Sequence, residues 1–271
     1  MGDILKDSSR KSLIKAIEGN LFELYRYYGQ SPKGEFHEEP NILWLITGIH
    51  FPLFNAIARA QLPKDNLRDR IEETIARFAL RHVPVMWWIG PSTYPSNLGD
   101  ILEAYKFKHE VDLTCMAVTL KNLNEKQHAP AGVEITYVND IEKLRQWCQA
   151  VSAGFDIPDG MAKLLFEFEY SLGFERHLPW QRYLATLDGE PAAASAMMLG
   201  SGVAGIYWTA TVPRLRLQGL GTAVVLEPLR KAQKEGYRIA VLHSTPMGAS
   251  MYRRLGFKQY CTVSRYIRSD T

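Results

Sequence analysis

Apolar residues recur at helical spacing between Ser9 and Tyr28, where Leu13, Ile14, Ile17, Leu21, Leu24 and Tyr25 form one stripe. This pattern predicts a long helix with a single core-facing side. The apolar region 42–62 is interrupted by His50, Pro52, Asn55 and Arg59, too broken to span a bilayer. A helical pattern follows at 67–81, and then a continuous apolar run at 84–89. Such runs read as strands covered on both faces, so Met86, Trp87 and Trp88, with Trp44 and Phe51, form sheet core or else line a cleft between halves. The segment 90–97, Gly-Pro-Ser-Thr-Tyr-Pro-Ser-Asn, is turn-rich and long enough to reach the second half.

The polar, Pro- and Gly-containing stretch 121–132 reads as a linker. It divides the chain into expected domains at 1–124 and 132–271. Beyond it lie a strand (133–138), a helix opened by Asn139 and Asp140 as caps, and a second helix (159–172). Strands at 181–187 and 191–199 flank Asp188-Gly189, a hairpin signal. A strand at 203–212, a helix at 222–235 and an apolar strand at 238–243 come next. Thr245 or Ser244 then caps a short helix with Pro246 in its first turn, Gly256 closes it, and a final strand runs from 258 to 267. The second half therefore reads β-α-α-β-β-β-α-β-α-β.

Composition alters this picture little. The 271 residues are 46% hydrophobic and 23% charged, ordinary globular usage with room for two domains. A net charge of +3 gives no ground to expect nucleic acid or membrane as a partner. Cys115, Cys148 and Cys261 are widely spaced, with no CxxC, so neither a metal site nor a disulfide framework is expected. Free thiols fit a reducing cytosol, and the polar N-terminus lacks the apolar stretch of a signal peptide, so a cytoplasmic location is expected.

Candidate chemistry concentrates in Arg216-Leu217-Gln218-Gly219-Leu220-Gly221-Thr222. Two glycines at a strand-to-helix junction present bare N–H groups at the positive end of a helix dipole, a natural seat for phosphate. A tight turn with nothing bound would use the same glycines. The segment is not a Rossmann fingerprint, because Val224 stands where a third Gly or Ala is needed. It is not a Walker loop either, because no lysine precedes Thr222.

With that order of elements, the second half resembles the GNAT acetyltransferase superfamily. Three runs carry the resemblance: Arg216-x-x-Gly219-x-Gly221, Thr211-x-Pro213 just before it, and Ala249-x-x-Tyr252-x-x-x-Gly256-Phe257. The fold expected from it is α/β, an α+β mixed sheet: two GNAT-like domains, each mostly antiparallel and flanked by helices. The resemblance implies acetyl-CoA as co-substrate and no metal. It puts the pyrophosphate on the backbone of Leu217, Gln218, Gly219, Leu220, Gly221 and Thr222. Pantetheine would lie along Thr209, Ala210 and Thr211, between splayed strands. Arg216 would add charge near the phosphates, and Thr245, where the family often has Asn, would supply at most one further contact. Tyr252 is the implied acid for the departing thiolate. Without the family motif it reads equally as a packing residue.

No base declares itself among Glu167, Glu169, Asp156, His177 and His243. Acceptor specificity is expected in 139–172, with Phe155, Asp156, Phe166, Glu167 and Phe168 as lining. The expected activity is N-acetylation of a primary amine on a small molecule or peptide, by a monomer or homodimer. A non-catalytic acyl-CoA sensor or scaffold is the alternative.

The first half reads as a degenerate repeat of the second. An offset of 150 pairs Lys108 with Lys258, Phe107 with Phe257 and Pro63 with Pro213. The same offset replaces Arg216, Gly219, Gly221 and Tyr252 by Asn66, Asp69, Ile71 and Leu102. Asp69 would repel a phosphate and Ile71 would block the backbone, so one cofactor site, in the second half, is expected.

Overall fold

A computed structural model of the protein describes residues 3–126, 129–175 and 177–269. Met1 and Gly2 of the N-terminus, and Gln127 and His128 of the expected linker, lie outside the described residues. The first half runs α1 (Arg10–Tyr28), β1 (Glu35–Glu39), β2 (Ile42–Ile46), β3 (Asn55–Ala58), α2 (Leu67–Ala79), β4 (Val85–Ile89), α3 (Leu98–Glu103) and β5 (Lys108–Thr119). The second half runs β6 (Val133–Tyr137), α4 (Ile141–Phe155), α5 (Asp159–Ser171), β7 (Trp180–Leu187), β8 (Glu190–Gly200), β9 (Val203–Thr211), α6 (Leu220–Lys234), β10 (Ile239–Ser244), α7 (Ala249–Arg254) and β11 (Lys258–Arg268). The order of elements in the second half is the predicted one.

Local chemistry sets the boundaries. Ser9 caps α1 by accepting from the Ser12 N–H, and Asp140 caps α4 by accepting from the Lys143 N–H. Asp188 and Gly189 both adopt positive φ, +51° and +85°, which matches a two-residue hairpin turn to the twist of β7 and β8. Several boundaries shift by a few residues, and two of the shifts bear on the site. Helix α6 begins at Leu220 rather than 222, so Gly221 belongs to its first turn. Helix α7 begins at Ala249, and Thr245 to Gly248 form a separate turn in which Thr245 Oγ1 accepts from the Gly248 N–H. Pro246 lies in that turn, ahead of the helix.

Among the described residues, eleven strands form one sheet in the order β1-β2-β3-β4-β11-β5-β10-β9-β8-β7-β6. The two halves are not closed separately. Strand β11 lies between β4 and β5, and β5 lies between β11 and β10, so each half holds the other's last strand. Pairing is antiparallel except at β3–β4 and β9–β10. Exchanging β1–β5 with β7–β11 in the list reverses it, leaving only β6 without a counterpart. The register obeys the same two-fold relation: Lys108 pairs with Ile267 and Lys258 with Ala117, and the offset of 150 converts one pair into the other.

Three apolar layers cover this sheet. One face of the second half packs under α6 and α7, through residues such as Val224, Leu229, Leu242 and Leu255. The corresponding face of the first half packs under α2 and α3, through Ile71, Phe78, Trp87 and Leu102. The opposite face is continuous across both halves and is covered by α1, α4 and α5. Helix α1 lies over the junction rather than on the first half alone. Its Asn20 side chain, fully buried, donates from Nδ2 to the carbonyls of Met198 (3.1 Å) and Gly200 (2.9 Å) at the end of β8. The same side chain accepts from the Tyr207 hydroxyl on β9 at 2.9 Å. Gly205 permits that approach: a Cβ there would stand 1.8 Å from Asn20 Oδ1.

Candidate active site

The parallel pairing of β9 with β10 covers Ala204–Ala240, Gly205–Val241 and Ile206–Leu242 and ends there. Beyond it the two strands are unpaired with each other, so the edge of β9 from Tyr207 to Thr211 faces an opening. A register shift in the β8–β9 ladder, between Ala194 and Ala196, leaves two β9 residues, Trp208 and Thr209, opposite Ser195 alone. Trp208 absorbs the extra residue with φ +48°, a β-bulge that turns the strand.

At the end of β9 the chain turns into α6. Gly219 is the N-cap with φ +86°, and no side chain caps the helix. The first turn therefore leaves the N–H groups of Leu220, Gly221 and Thr222 without intrahelical partners. A Cβ on Gly221 would meet Thr211 Oγ1 at 3.2 Å and Met251 Sδ at 3.4 Å, so the glycine brings α6, β9 and α7 close together. Leu217 also holds a positive φ of +64° and projects fully into solvent. Arg216 donates from Nη2 to the Gly154 carbonyl at 2.9 Å. Its guanidinium ties this turn to the end of α4. Gly154 is itself packed so tightly that a Cβ would lie 2.6 Å from Cβ of Ala210.

Tyr252 reaches the opening from α7. It is 7% exposed, and its ring meets Phe257 edge-on at 5.8 Å. Burial pushes its phenol up to about 12, opposed by the Thr209 hydroxyl nearby. That hydroxyl is close enough to act on the phenol, yet Thr209 Oγ1 is buried without a hydrogen-bond partner among the described residues. The Tyr252 ring also borders Gly248, whose amide binds Thr245. Thr209 lies near Tyr252, Thr211 near Gly221, and Thr245 and Tyr252 both near Gly248, so these residues from four elements cluster on one face of the sheet beside the point where β9 and β10 part. Ala210 faces α4 instead, against Gly154.

The expected acceptor residues divide. Phe155 packs edge-on against Trp208 at 5.3 Å, and Trp208 stacks on Phe54 of the first half at 5.4 Å. Asp156 ends α4 in the left-handed conformation. Glu167 is not brought to the opening: its carboxylate is paired with Lys33 at 2.7 Å. Glu169 is fully buried and paired with Arg182 at 2.6 Å, which makes it structural. His177 is exposed. His243, by contrast, is the first β10 residue past the pairing with β9, and neither ring nitrogen has a partner among the described residues.

The first half lacks this opening. Beyond β3 the chain stays bridged, with the Tyr94 N–H donating to the Ala60 carbonyl (2.9 Å) and the Leu62 N–H to the Tyr94 carbonyl (2.8 Å). The loop 90–97 therefore fills its own half's gap instead of reaching the second half's opening. Its Ser92 also donates from both N–H and Oγ to Glu18 on α1. Asp69 stands in the first turn of α2, while Ile71 and Leu102 are fully buried.

Sequence reasoning missed Tyr207, Trp208, Tyr25 and Asn20 as residues of this region. Asn20 alone carried a signal, as a polar residue within the α1 apolar stripe.

No protein-family profile matches the chain, and neither does any curated protein sequence. Solved structures do. A GCN5-related N-acetyltransferase from Kribbella flavida aligns over 94% of this chain and 96% of its own, with a TM-score of 0.71 at 17% identity. Another GCN5-related N-acetyltransferase, from Sphaerobacter thermophilus, covers 96% and 93% with a TM-score of 0.61 at 14% identity. A tandem GNAT protein from the clavulanic acid biosynthesis pathway covers 98% and 96% with a TM-score of 0.59 at 11% identity. The chain has the fold of the GCN5-related N-acetyltransferases, in the tandem arrangement. No helix among the described residues is long and apolar enough to cross a membrane, and no group of three or more metal-ligating side chains occurs among them.

Proposed function

We propose that this protein is an acetyl-CoA-dependent N-acetyltransferase acting on a primary amine, with one cofactor site, in the second half (132–271), and a degenerate first half (1–124). The observation that carries the reading is the end of β9–β10 pairing at Ile206 and Leu242, next to the uncapped start of α6. The residues suit the co-substrate. Unpaired N–H groups at a helix start suit a pyrophosphate. The free edge of β9 at Thr209, Ala210 and Thr211 suits the amides of pantetheine, and the partnerless Thr209 hydroxyl is an orphan a ligand would satisfy. Leu217, Gln218, Gly219, Leu220, Gly221 and Thr222 would hold the phosphates, with Thr245 at the margin. Arg216 would act there through its hold on Gly154 more than through free charge.

Acetyl-CoA, when bound, supplies an activated thioester. A tyrosine phenol is protonated at neutral pH, and burial, which raises the pKa of Tyr252 to about 12, keeps it so well above that. A thiolate formed in the same water-poor place is raised in basicity by the same effect, so the phenol is a suitable donor to it. Phe155 and Asp156 would border the amine.

Calorimetry of the wild type and Gly221→Asp with acetyl-CoA tests the reading. One site per chain, lost in the variant, is expected. Absence of binding by the wild type would leave only the fold.

One observation favours a second reading. Two carboxylates of the acceptor region are held in ion pairs, Glu169 by Arg182 and Glu167 by Lys33. A CoA sensor needs no base. Turnover with any primary amine separates the two.

A further inference from the structure

His243 sits between the halves. It shares a row with Cys115, its partner on β5, and Cys115 pairs in turn with Cys261 on β11. Two rings flank its imidazole: Tyr207 of β9 at 6.2 Å and Trp88 of β4 at 5.9 Å. Both rings are held by α1. Tyr207 donates its hydroxyl proton to Asn20 Oδ1, and Trp88 donates from Nε1 to the Tyr25 hydroxyl at 2.8 Å. The charged and titratable groups around the imidazole are Tyr25 and Glu18 from α1, Tyr207 from β9, Cys115 from β5, and Cys261 and Arg265 from β11. Glu18 is engaged by Ser92. Arg265 is paired with Glu110 at 2.8 Å and lies over the Trp88 ring at 5.8 Å. No carboxylate among the described residues bonds the imidazole.

Buried polar side chains in native proteins nearly always find a partner, and an exception is explained by strain, a bound water or ion, or a catalytic role. Here both nitrogens of one ring are exceptions. They are buried just past the point where β9 and β10 part, on the face covered by α1 and α4, whereas Tyr252 lies on the face covered by α6 and α7. A proton acceptor and a proton donor on opposite faces of one gap is the arrangement acyl transfer to an amine requires.

We propose that His243 is the catalytic residue that receives the acceptor amine's proton, and that the first half seats it through Trp88 and Tyr25 as positioning residues. This rests on the acetyltransferase reading above. In the step, the amine nitrogen forms its bond to the acetyl carbon as the carbon–sulfur bond breaks. The amine proton passes to a ring nitrogen of His243, and the sulfur takes its proton from the Tyr252 hydroxyl. Solvent exchange then restores both side chains. The neutral state of the imidazole follows from burial and from Arg265, which together lower its pKa to about 4. The tandem architecture gains a purpose: the half without a cofactor site builds the acceptor side of the half that has one.

The test uses the full chain, acetyl-CoA, and 2-phenylethylamine, tryptamine and glycinamide as probe amines. His243→Gln should lower kcat by about 100-fold or more while acetyl-CoA affinity stays within about twofold, and free imidazole should partly restore His243→Gly. Trp88→Phe should lower kcat less, and should add little to His243→Gln. On the wild type, ring-nitrogen NMR should show the His243 signals moving when an amine is added to the CoA complex. This second readout stands even if the variants fold poorly. A kcat for folded His243→Gln within about threefold of wild type, or unmoved His243 signals at saturating amine, overturns the inference alone. A wild type that binds no acetyl-CoA overturns the acetyltransferase reading first.

Discussion

The Ser195 hydroxyl on β8 donates to the Val224 carbonyl on α6 at 2.7 Å. Val224 lies four residues before Pro228, inside the same helix, and proline has no N–H to give it. Ser195 supplies the missing donor from the sheet, at the residue opposite the β9 bulge. Its own carbonyl accepts from Trp147 Nε1 at 3.0 Å, which ties α4 to the same point. One residue thus fixes helices on both faces of the sheet beside the opening. Ser195→Ala should cost about 1–3 kcal/mol, because a buried carbonyl loses its partner. In a Pro228→Ala background the helix supplies its own N–H, so the same change should cost less. Urea denaturation of the four proteins in this cycle measures the difference.

Asn20 makes the corresponding link between the halves. Asn20→Ala leaves the Met198 and Gly200 carbonyls and the Tyr207 hydroxyl without their partner, and should destabilise by about 3 kcal/mol or more. Gly205→Ala should be comparably harmful through the 1.8 Å clash with Asn20 Oδ1. The two changes should be less than additive, since truncating Asn20 removes its part of the clash and leaves only the 2.8 Å approach to Tyr207 Cε2. Equilibrium unfolding of both single variants and the double variant checks this.

The buried imidazole has a consequence for stability against pH. His243 titrates near 6.5 when solvated and at about 4 in the fold. The unfolded chain therefore binds the extra proton first as pH falls. Stability from this group is complete above pH 6.5 and is lost progressively down to about pH 4, by about 3 kcal/mol in all. His243→Gln should flatten the stability profile in that window, whatever constant offset the lost ring packing adds across the whole pH range. Denaturant midpoints across pH 4–8 provide the measurement.

Tyr252→Phe should lower kcat by about 10²-fold or more and change acetyl-CoA affinity less than about twofold, because the lost group is a proton donor and not a binding contact. Thiol release and calorimetry on the same preparation compare the two effects. Equal turnover in both proteins would favour the sensor reading.

Much of the second half was legible because its signals are local. Asp188-Gly189 names a turn, Asp140 a cap, Gly256 a helix end, and strong periodicity spans the elements between them. The start of α6 was misplaced because glycine reads as a breaker, and Gly221 is in the helix for a reason outside its own segment, the approach of Thr211 and Met251. Strands β1, β2 and β3 are five, five and four residues long, too short for their periodicity to stand out within the apolar region. The α1 stripe announced a buried face but not what covers it. Trp88 read as core, which it is, while its indole N–H also orients Tyr25 beside His243. These relations are between residues far apart in sequence, and no short pattern encodes them.

The exchanged strands have a consequence for synthesis. While the ribosome is still making the second half, β4 and β5 have left the exit tunnel, but the strand that separates them has not been made. Until the last eleven-residue strand, Lys258–Arg268, emerges, the first half carries an empty lane in its sheet with two exposed edges. In the folded sheet each half borrows the other's last strand, so a gene cut between them would encode two fragments that each lack one lane of the sheet.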